Sequence, residues 1–234
     1  MDSGLYSAVG SMRSSLRSLD VLAHNLSNLG THGYKRRSPS AKLFDAHTDF
    51  GQTRAIGTRG WVDHGQGGLD QTGDDFHLAL MGEGFFAAES PEGEVYTRVG
   101  RLSFDADGNL TTAEGYPMAW ENQEVALNPS GEAPVIDDNG QVYQGLVSIG
   151  RLKLVAFADK RDLNETSAGY WLARPKAQQV PPDAQVRQGF LERSNSEGVV
   201  ELIDLVENQR AYEIASKAVT QIDQSYRRLN QGRS

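Results

Sequence analysis

Both ends of the chain carry apolar residues at alternating intervals of three and four, the rhythm of a helix that needs a partner. Close to the C-terminus the series is Tyr212, Ala215, Val219, Ile222, Tyr226 and Leu229, a mean period of about 3.5 residues. Close to the N-terminus it is Leu5, Val9, Met12, Leu16, Leu19, Ala23 and Leu26. A stripe of this kind is stabilised mainly by packing and little by propensity. The spacing therefore predicts that the first helix pairs with the last, and that everything between them is an insertion.

The flank of the first helix is unusual. It carries Ser3, Ser7, Ser11, Ser14, Ser15 and Ser18 with Gly4 and Gly10, all indifferent to poor helix formers. Arg13, Arg17, Asp2 and Asp20 are its only charges before His24. Small residues admit close neighbours, so this helix is expected to be loosely ordered in a single copy and packed on several sides when assembled. It should stop at "NLGTHGYKRR", where Gly30 and Gly33 end a helix and Tyr34 begins extended chain. The last helix is expected to start at the capping pair Ser194 and Glu197 and to run on to Asn230. Its opening residues Val199, Val200, Leu202, Ile203, Leu205 and Val206 are apolar on more than one face. A lone amphipathic helix does not use that width.

Residues 38–75 are polar and glycine-rich and read as a connecting segment with room for a short hairpin. From residue 76, short apolar runs such as "FHLAL", "GFFAAES", "VYTRVG" and "RLSFDA" alternate with turn signals such as "SPEGE", "DADGN" and "DDNGQ". "VSIGRLKLVAFAD" at 147–159 is the longest alternation and is expected to form a central strand. The pattern predicts an antiparallel β domain. The expected fold is α+β: long N- and C-terminal helices pairing as a coiled-coil stalk, with an inserted antiparallel β domain. Its expected parts are a helix over 1–30, an extended linker over 31–75, a β-rich outer domain over 76–190 and a C-terminal helix over 191–234.

A net charge of −8 and a pI near 5.1 argue against a general nucleic-acid binder, which needs a basic surface to displace counterions. The absence of cysteine excludes a disulfide scaffold and a thiolate metal site. No apolar run approaches the ~20 residues of a membrane-spanning helix. The opening "MDSGLYSAVGSMRSSLRSL" is broken by Ser, Gly and Arg and does not read as a cleaved secretory signal.

No catalytic spacing stands out in the chain. The sequence holds neither a His-Glu-x-x-His helix nor a Gly-x-Ser-x-Gly elbow. The five histidines lie apart, at 24, 32, 47, 64 and 77. "DADGN" offers Asp105, Asp107 and Asn109, but its glycine is fourth and its twelfth residue is Tyr116, so it reads as a tight hairpin turn and not as a calcium loop. The basic run "YKRRSPSAK" reads as a solvated turn. No residue is assigned to catalysis, to a cofactor or to a metal.

Three longer stretches resemble one family. "AHNLSNLGTHGYKRR" (23–37), "DFHLALMGEGFFAAESPEGEVYTRVGRLSFDADGNLTTAEGYPM" (75–118) and "FLERSNSEGVVELIDLVENQRAYEIASKAV" (190–219) are similar to signatures of bacterial flagellar rod and hook proteins. His24, Gly30 and His32 stand where that family often has Asn, Asn or Ser, and Pro. The opening "MDSGLYSAVGSM" and the strand "IGRLKLVAF" look most like its proximal-rod branch, with the distal rod next. The resemblance implies a non-enzymatic building block of the basal body. Its partners would be copies of itself, other rod and hook proteins and the flagellar type III export apparatus, with no nucleic acid and no membrane insertion. Leu5, Val9, Met12, Leu16, Leu19 and Leu26 are then expected to meet Leu202, Leu205, Tyr212, Val219, Ile222, Tyr226 and Leu229 in the assembled core. Asn25, Asn28, Thr31, Gly33, Ser194, Asn195, Gln209, Arg210 and Glu213 match the family turn and helix signature. Asn25 and Asn28 are read both as helix-end caps and as contacts between copies. Arg210 is expected to pair with a carboxylate of a neighbouring copy. A secreted cell-wall-acting enzyme and a monomeric binding module with closed arms stand as alternatives.

Overall fold

The computed structural model describes residues 2–39, 41–48, 51–58, 60–105, 107–167 and 169–231, with side chains described for 4–39, 60–105, 107–167, 169–228 and 231. They form two compact units. The helical unit takes residues 1–28, 36–63 and 196–234; the β unit takes 29–35 and 64–195.

In the helical unit, α1 spans Asp2–Ser27 and α2 spans Gly198–Gln231. They run in opposite directions. A methyl group built on Gly4 would lie 3.9 Å from Ile222 Cδ1, while at the other end Asn25 bonds Glu201. The same unit holds an antiparallel hairpin, Ala41–Thr48 with Gly51–Thr58. A two-residue ladder pairs Arg37–Ser38 with Trp61–Val62.

The expected fold class needs correction. Among the described residues there are two α-helices and a large antiparallel β-rich domain, and no long paired coiled-coil stalk is formed. The reason lies in which residues face inward. On α1 the buried positions are Ser15, Leu22 and Asn25, whereas Leu16 is 44% exposed and Ala23 is exposed. The buried stripe is thus turned by about one residue, ~100°, from the apolar seam. On α2 the inward positions include Glu201 and Ala215, while Leu202 is 50% exposed. Polar Ser15, Asn25 and Glu201 occupy places where a coiled coil would put apolar knobs. α2 also opens at Gly198, four residues beyond Ser194, so the expected capping pair precedes the helix.

The β unit is antiparallel in every pairing described. Its six-stranded sheet runs, in spatial order, Leu163–Ser167, Tyr170–Ala173, Gly93–Thr97, Phe85–Ser90, Leu154–Phe157 and Gln179–Val180. A four-stranded sheet follows the order Trp120–Gln123, Val147–Leu152, Gln141–Gln144 and Val135–Ile136. Successive side chains on a strand point to opposite faces. Phe86 and Ala88 therefore enter one core cluster, with Leu80, Leu110, Ile149 and Tyr170. Phe85 and Ala87 enter another, with Tyr96, Phe157 and Trp171. The run "GFFAA" is apolar throughout because both faces of its strand are covered. The long alternation at 147–159 is divided: Val147–Leu152 belongs to the four-stranded sheet and Leu154–Phe157 to the six-stranded one.

The turn at "DADGN" closes the hairpin between Leu102–Phe104 and Leu110–Thr112. The Asp105 carboxylate accepts hydrogen bonds from the Asp107 and Asn109 amides at 2.9 and 2.8 Å, and from the Asn109 side chain at 3.0 Å. The Asn109 side chain, followed by its backbone N–H, holds that carboxyl below its ordinary range.

Candidate functional site

Two buried polar clusters organise the chain, one in each unit. In the β unit, the strand Phe190–Glu192 sends Leu191 into the core and leaves Glu192 fully buried. A buried carboxylate needs partners, and it has several. Lys35 Nζ lies 2.6 Å from Glu192 Oε1, and Arg98 Nη1 lies 3.1 Å from Oε2. The Gly67 amide donates to Oε1 at 2.9 Å. Lys35 and Arg98 are themselves only 2% and 4% exposed. Two cations thus share one anion, and backbone carbonyls take further donors, while Arg98 Nε is buried without a partner. Lys35 donates to Gly65 O at 2.7 Å, and Arg98 donates to Gly82 O at 2.6 Å. The Arg98 guanidinium also sits 5.6 Å from the centre of the Phe85 ring, a cation–π distance.

Gly33 makes this approach possible. Its φ of 71° lies in the left-handed region, and a Cβ there would come within 2.7 Å of the Arg98 carbonyl carbon. Its amide donates to the Glu192 carbonyl at 2.7 Å. The signature segments around 33–35, 98–100 and 191–195 therefore converge on one carboxylate.

In the helical unit, Asn25 and Glu201 are fully buried. The Asn25 side chain grips the backbone of Arg37 in both directions: Nδ2 donates to Arg37 O at 2.7 Å, and Oδ1 accepts from Arg37 N–H at 2.9 Å. Nδ2 also donates to Glu201 Oε2 at 3.0 Å. Arg36 pairs with Glu201 through Nε and with Asp204 through Nη2, the latter at 3.1 Å. The hydrogen bond to Glu201 raises the Arg36 guanidinium above its ordinary value. The basic run read as a solvated turn is thus largely engaged: Lys35 is buried in one cluster and Arg36 paired in the other. Asn25→Ala is expected to cost about 1–3 kcal/mol, because buried backbone groups of Arg37 lose their partners. Urea unfolding followed by helical circular dichroism checks this; an unchanged midpoint contradicts the clamp.

The other signature residues sit as follows. Asn28 Nδ2 donates to His24 O at 2.8 Å, closing the end of α1. The Thr31 carbonyl accepts from Tyr34 N–H at 3.3 Å. Asn195 Nδ2 donates to Gly65 O at 3.1 Å, and Ser194 is half-buried. Gln209, Arg210 and Glu213 are exposed. Of the seam residues, Leu5, Val9, Met12, Leu19, Leu26, Leu205, Tyr212, Val219, Ile222 and Tyr226 are half-buried. The Leu229 side chain lies outside the described residues.

The sequence reading missed Lys35, Arg98, Glu192, Glu201 and Asp204 as site residues. It noted the width of apolar surface from Val199 to Val206 at the start of α2, and Val199, Ile203 and Val206 are exposed there; further along, Ile214 is exposed as well, Val199 by 73% and Ile214 by 68%. Each lies two positions from a buried or half-buried residue of α2, ~200° round the helix. α2 therefore has two stripes, one packed and one open.

A model of the C-terminal region of flagellar basal body rod FlgEFG proteins matches residues 187–232, and one of the D1 domain of flagellar hook protein FlgE/F/G matches 79–144. The flagellar basal-body rod protein FlgF of Caulobacter vibrioides is 32% identical over 228 residues, which cover 93% of this chain and 92% of that protein. The chain belongs to the flagellar basal-body rod protein family. The rod protein FlgG of Agrobacterium fabrum is similar at 29% identity over 242 residues, 88% of this chain and 90% of its own. FlgF of Salmonella typhimurium is 27% identical over 248 residues, 99% of this chain and 98% of its own. In this rod-family chain, the FlgEFG C-terminal match spans α2, the open stripe and Glu192 together. The D1 match spans Arg98 and part of each core cluster.

Proposed function

We propose that this chain is a structural subunit of the flagellar rod, in its proximal part, and that it polymerises through the outward faces of its terminal helices. The observation that carries the reading is the second stripe of α2. Apolar side chains on a helix gain about 25 cal/mol for each Å² removed from water, and these stay in water in a single copy. The two buried clusters support the same division of labour. They hold Lys35, Arg36, Arg98, Glu192, Glu201 and Asp204 in pairs inside the protomer, leaving apolar side chains and exposed charges such as Arg210 for neighbours. Copies related by a rotation that does not close a ring would build an open helical shaft. The partners are copies of this chain and other rod and hook proteins, and the role is one of assembly without catalysis. Among the described residues no cluster of His, Asp and Glu suits a metal, and no helix is long and apolar enough to cross a membrane. Passage through the flagellar export apparatus belongs to the same reading. An α1 rich in Ser and Gly gains little from propensity and would be readily unfolded for transit.

The test uses tagged protein expressed in the bacterium that encodes it, with basal bodies purified and probed for the tag. Wild-type chain is expected in that fraction. Leu16→Asp is expected to be lost from it by tenfold or more, while the β unit stays folded by tryptophan fluorescence, because a charge enters a face that neighbours dehydrate. Absence of the wild type from basal bodies sinks the reading. Normal incorporation of Leu16→Asp removes this face from it.

A further inference from the structure

We infer that the open stripe of α2 is covered by α1 of a second copy, and that Arg210 of one copy pairs with Asp20 of the next. The inference rests on the rod-subunit reading and names the partner face.

α1 has an outward stripe of its own. Ser27, Ala23, Asp20 and Leu16 are all exposed and succeed one another at steps of four, three and four. They lie on the side left over when Ser15, Leu22 and Asn25 turn inward. The outward stripe of α2 reads Ile203, Val206, Arg210 and Ile214, at steps of three, four and four.

Direction decides how the two stripes meet. Within one copy, α1 and α2 run oppositely. In a shaft whose copies all point the same way, the next copy's α1 is parallel to the first copy's α1. It therefore runs opposite to the first copy's α2. Laid antiparallel with Asp20 on Arg210, the stripes fall into step. Leu16 meets Ile214, apolar on apolar. The small residues Ala23 and Ser27 come opposite Val206 and Ile203, where close approach is needed. By the same register Arg13, one turn further on, falls opposite Lys217 with Glu213 one turn away, so the attraction in this contact comes from Asp20 on Arg210 and Leu16 on Ile214. Among the described residues the side chains of Asp20, Arg210, Arg13 and Glu213 make no hydrogen bond or ion pair within the chain, so each is available to a neighbour. One face accepts and a different face donates, so the contact repeats from copy to copy without closing on itself.

Because the chain has no cysteine, engineered thiols report without background. Two differently tagged single-site variants, Leu16→Cys and Ile214→Cys, are co-expressed, and purified basal bodies are oxidised. A heterodimer band that needs both variants is expected. Basal bodies that contain both variants but yield no such band overturn the inference and leave the rod reading intact. A homodimer from Ile214→Cys alone overturns it in favour of α2 on α2. A wild-type lane that lacks the protein in basal bodies marks failure of the rod reading instead. Should either cysteine variant stay out of the rod, charge reversal decides. Arg210→Asp is expected to reduce incorporation at least tenfold, and adding Asp20→Arg in the same chain is expected to restore it. No restoration overturns the pairing.

Discussion

Glu192→Gln is expected to destabilise the β unit by about 3–5 kcal/mol, the cost of removing one partner from a buried ion cluster. The substitution keeps the shape of the side chain and removes its charge. Lys35 and Arg98, at 2% and 4% exposure, then both lose the carboxylate that they share. The Gly67 amide also loses a charged acceptor. Neither cation can reach water without dragging its strand or turn outward. The loss is read as a fall in the urea midpoint followed by the fluorescence of buried Trp171, with the slope unchanged if unfolding stays two-state. Glu201→Gln should cost less, because its partner Arg36 is about a quarter exposed at the side chain and keeps Asp204. Equal midpoints for wild type and Glu192→Gln contradict the cluster.

Gly100→Ala carries the second large effect. A Cβ at this position would lie 1.7 Å from the Leu78 carbonyl oxygen and 2.6 Å from its carbon. Both are backbone atoms, so no side chain can swing aside to make room. The Gly100 carbonyl also accepts the Leu78 N–H at 2.8 Å, so the two segments must part for the methyl group to fit. Overpacking of this sort costs about 1–3 kcal/mol, and more where backbone is displaced. Gly10→Ala is the matched control. Nothing lies within 4 Å of its added Cβ, and a helix interior gains roughly 0.5–1 kcal/mol from the exchange. Opposite signs in one thermal unfolding series are expected. A neutral Gly100→Ala would mean that the close approach at Leu78 is absent.

The helices, the antiparallel strands and the "DADGN" turn were legible because each is written in neighbours: a 3.5-residue period, a two-residue alternation, an Asp that accepts from amides two and four residues on. The face of α1 was not. Spacing reports which residues are apolar, and Leu16 and Leu22 are equally so. The choice between them came with Asn25, a polar residue whose burial depends on Arg37 and Glu201 elsewhere in the chain. The ion cluster was hidden for the same reason. Glu192 stands 157 positions from Lys35 and 94 from Arg98, and a lone Glu or Lys beside a turn reads as solvated. The outward stripe of α2 was visible as surplus apolar width from Val199 to Val206. Its extension through Arg210 to Ile214 needed the inward stripe to be fixed first.

The central claim is that the terminal helices present faces completed only by neighbouring copies. An electron-microscopic reconstruction of the assembled rod, at a resolution that separates helices, tests it most directly. The account predicts Ile203, Val206 and Ile214 of each copy packed against α1 of the next, with Glu192 still enclosed in its own β unit. A rod in which that stripe of α2 faces open solvent, and copies touch through their β units alone, would contradict it.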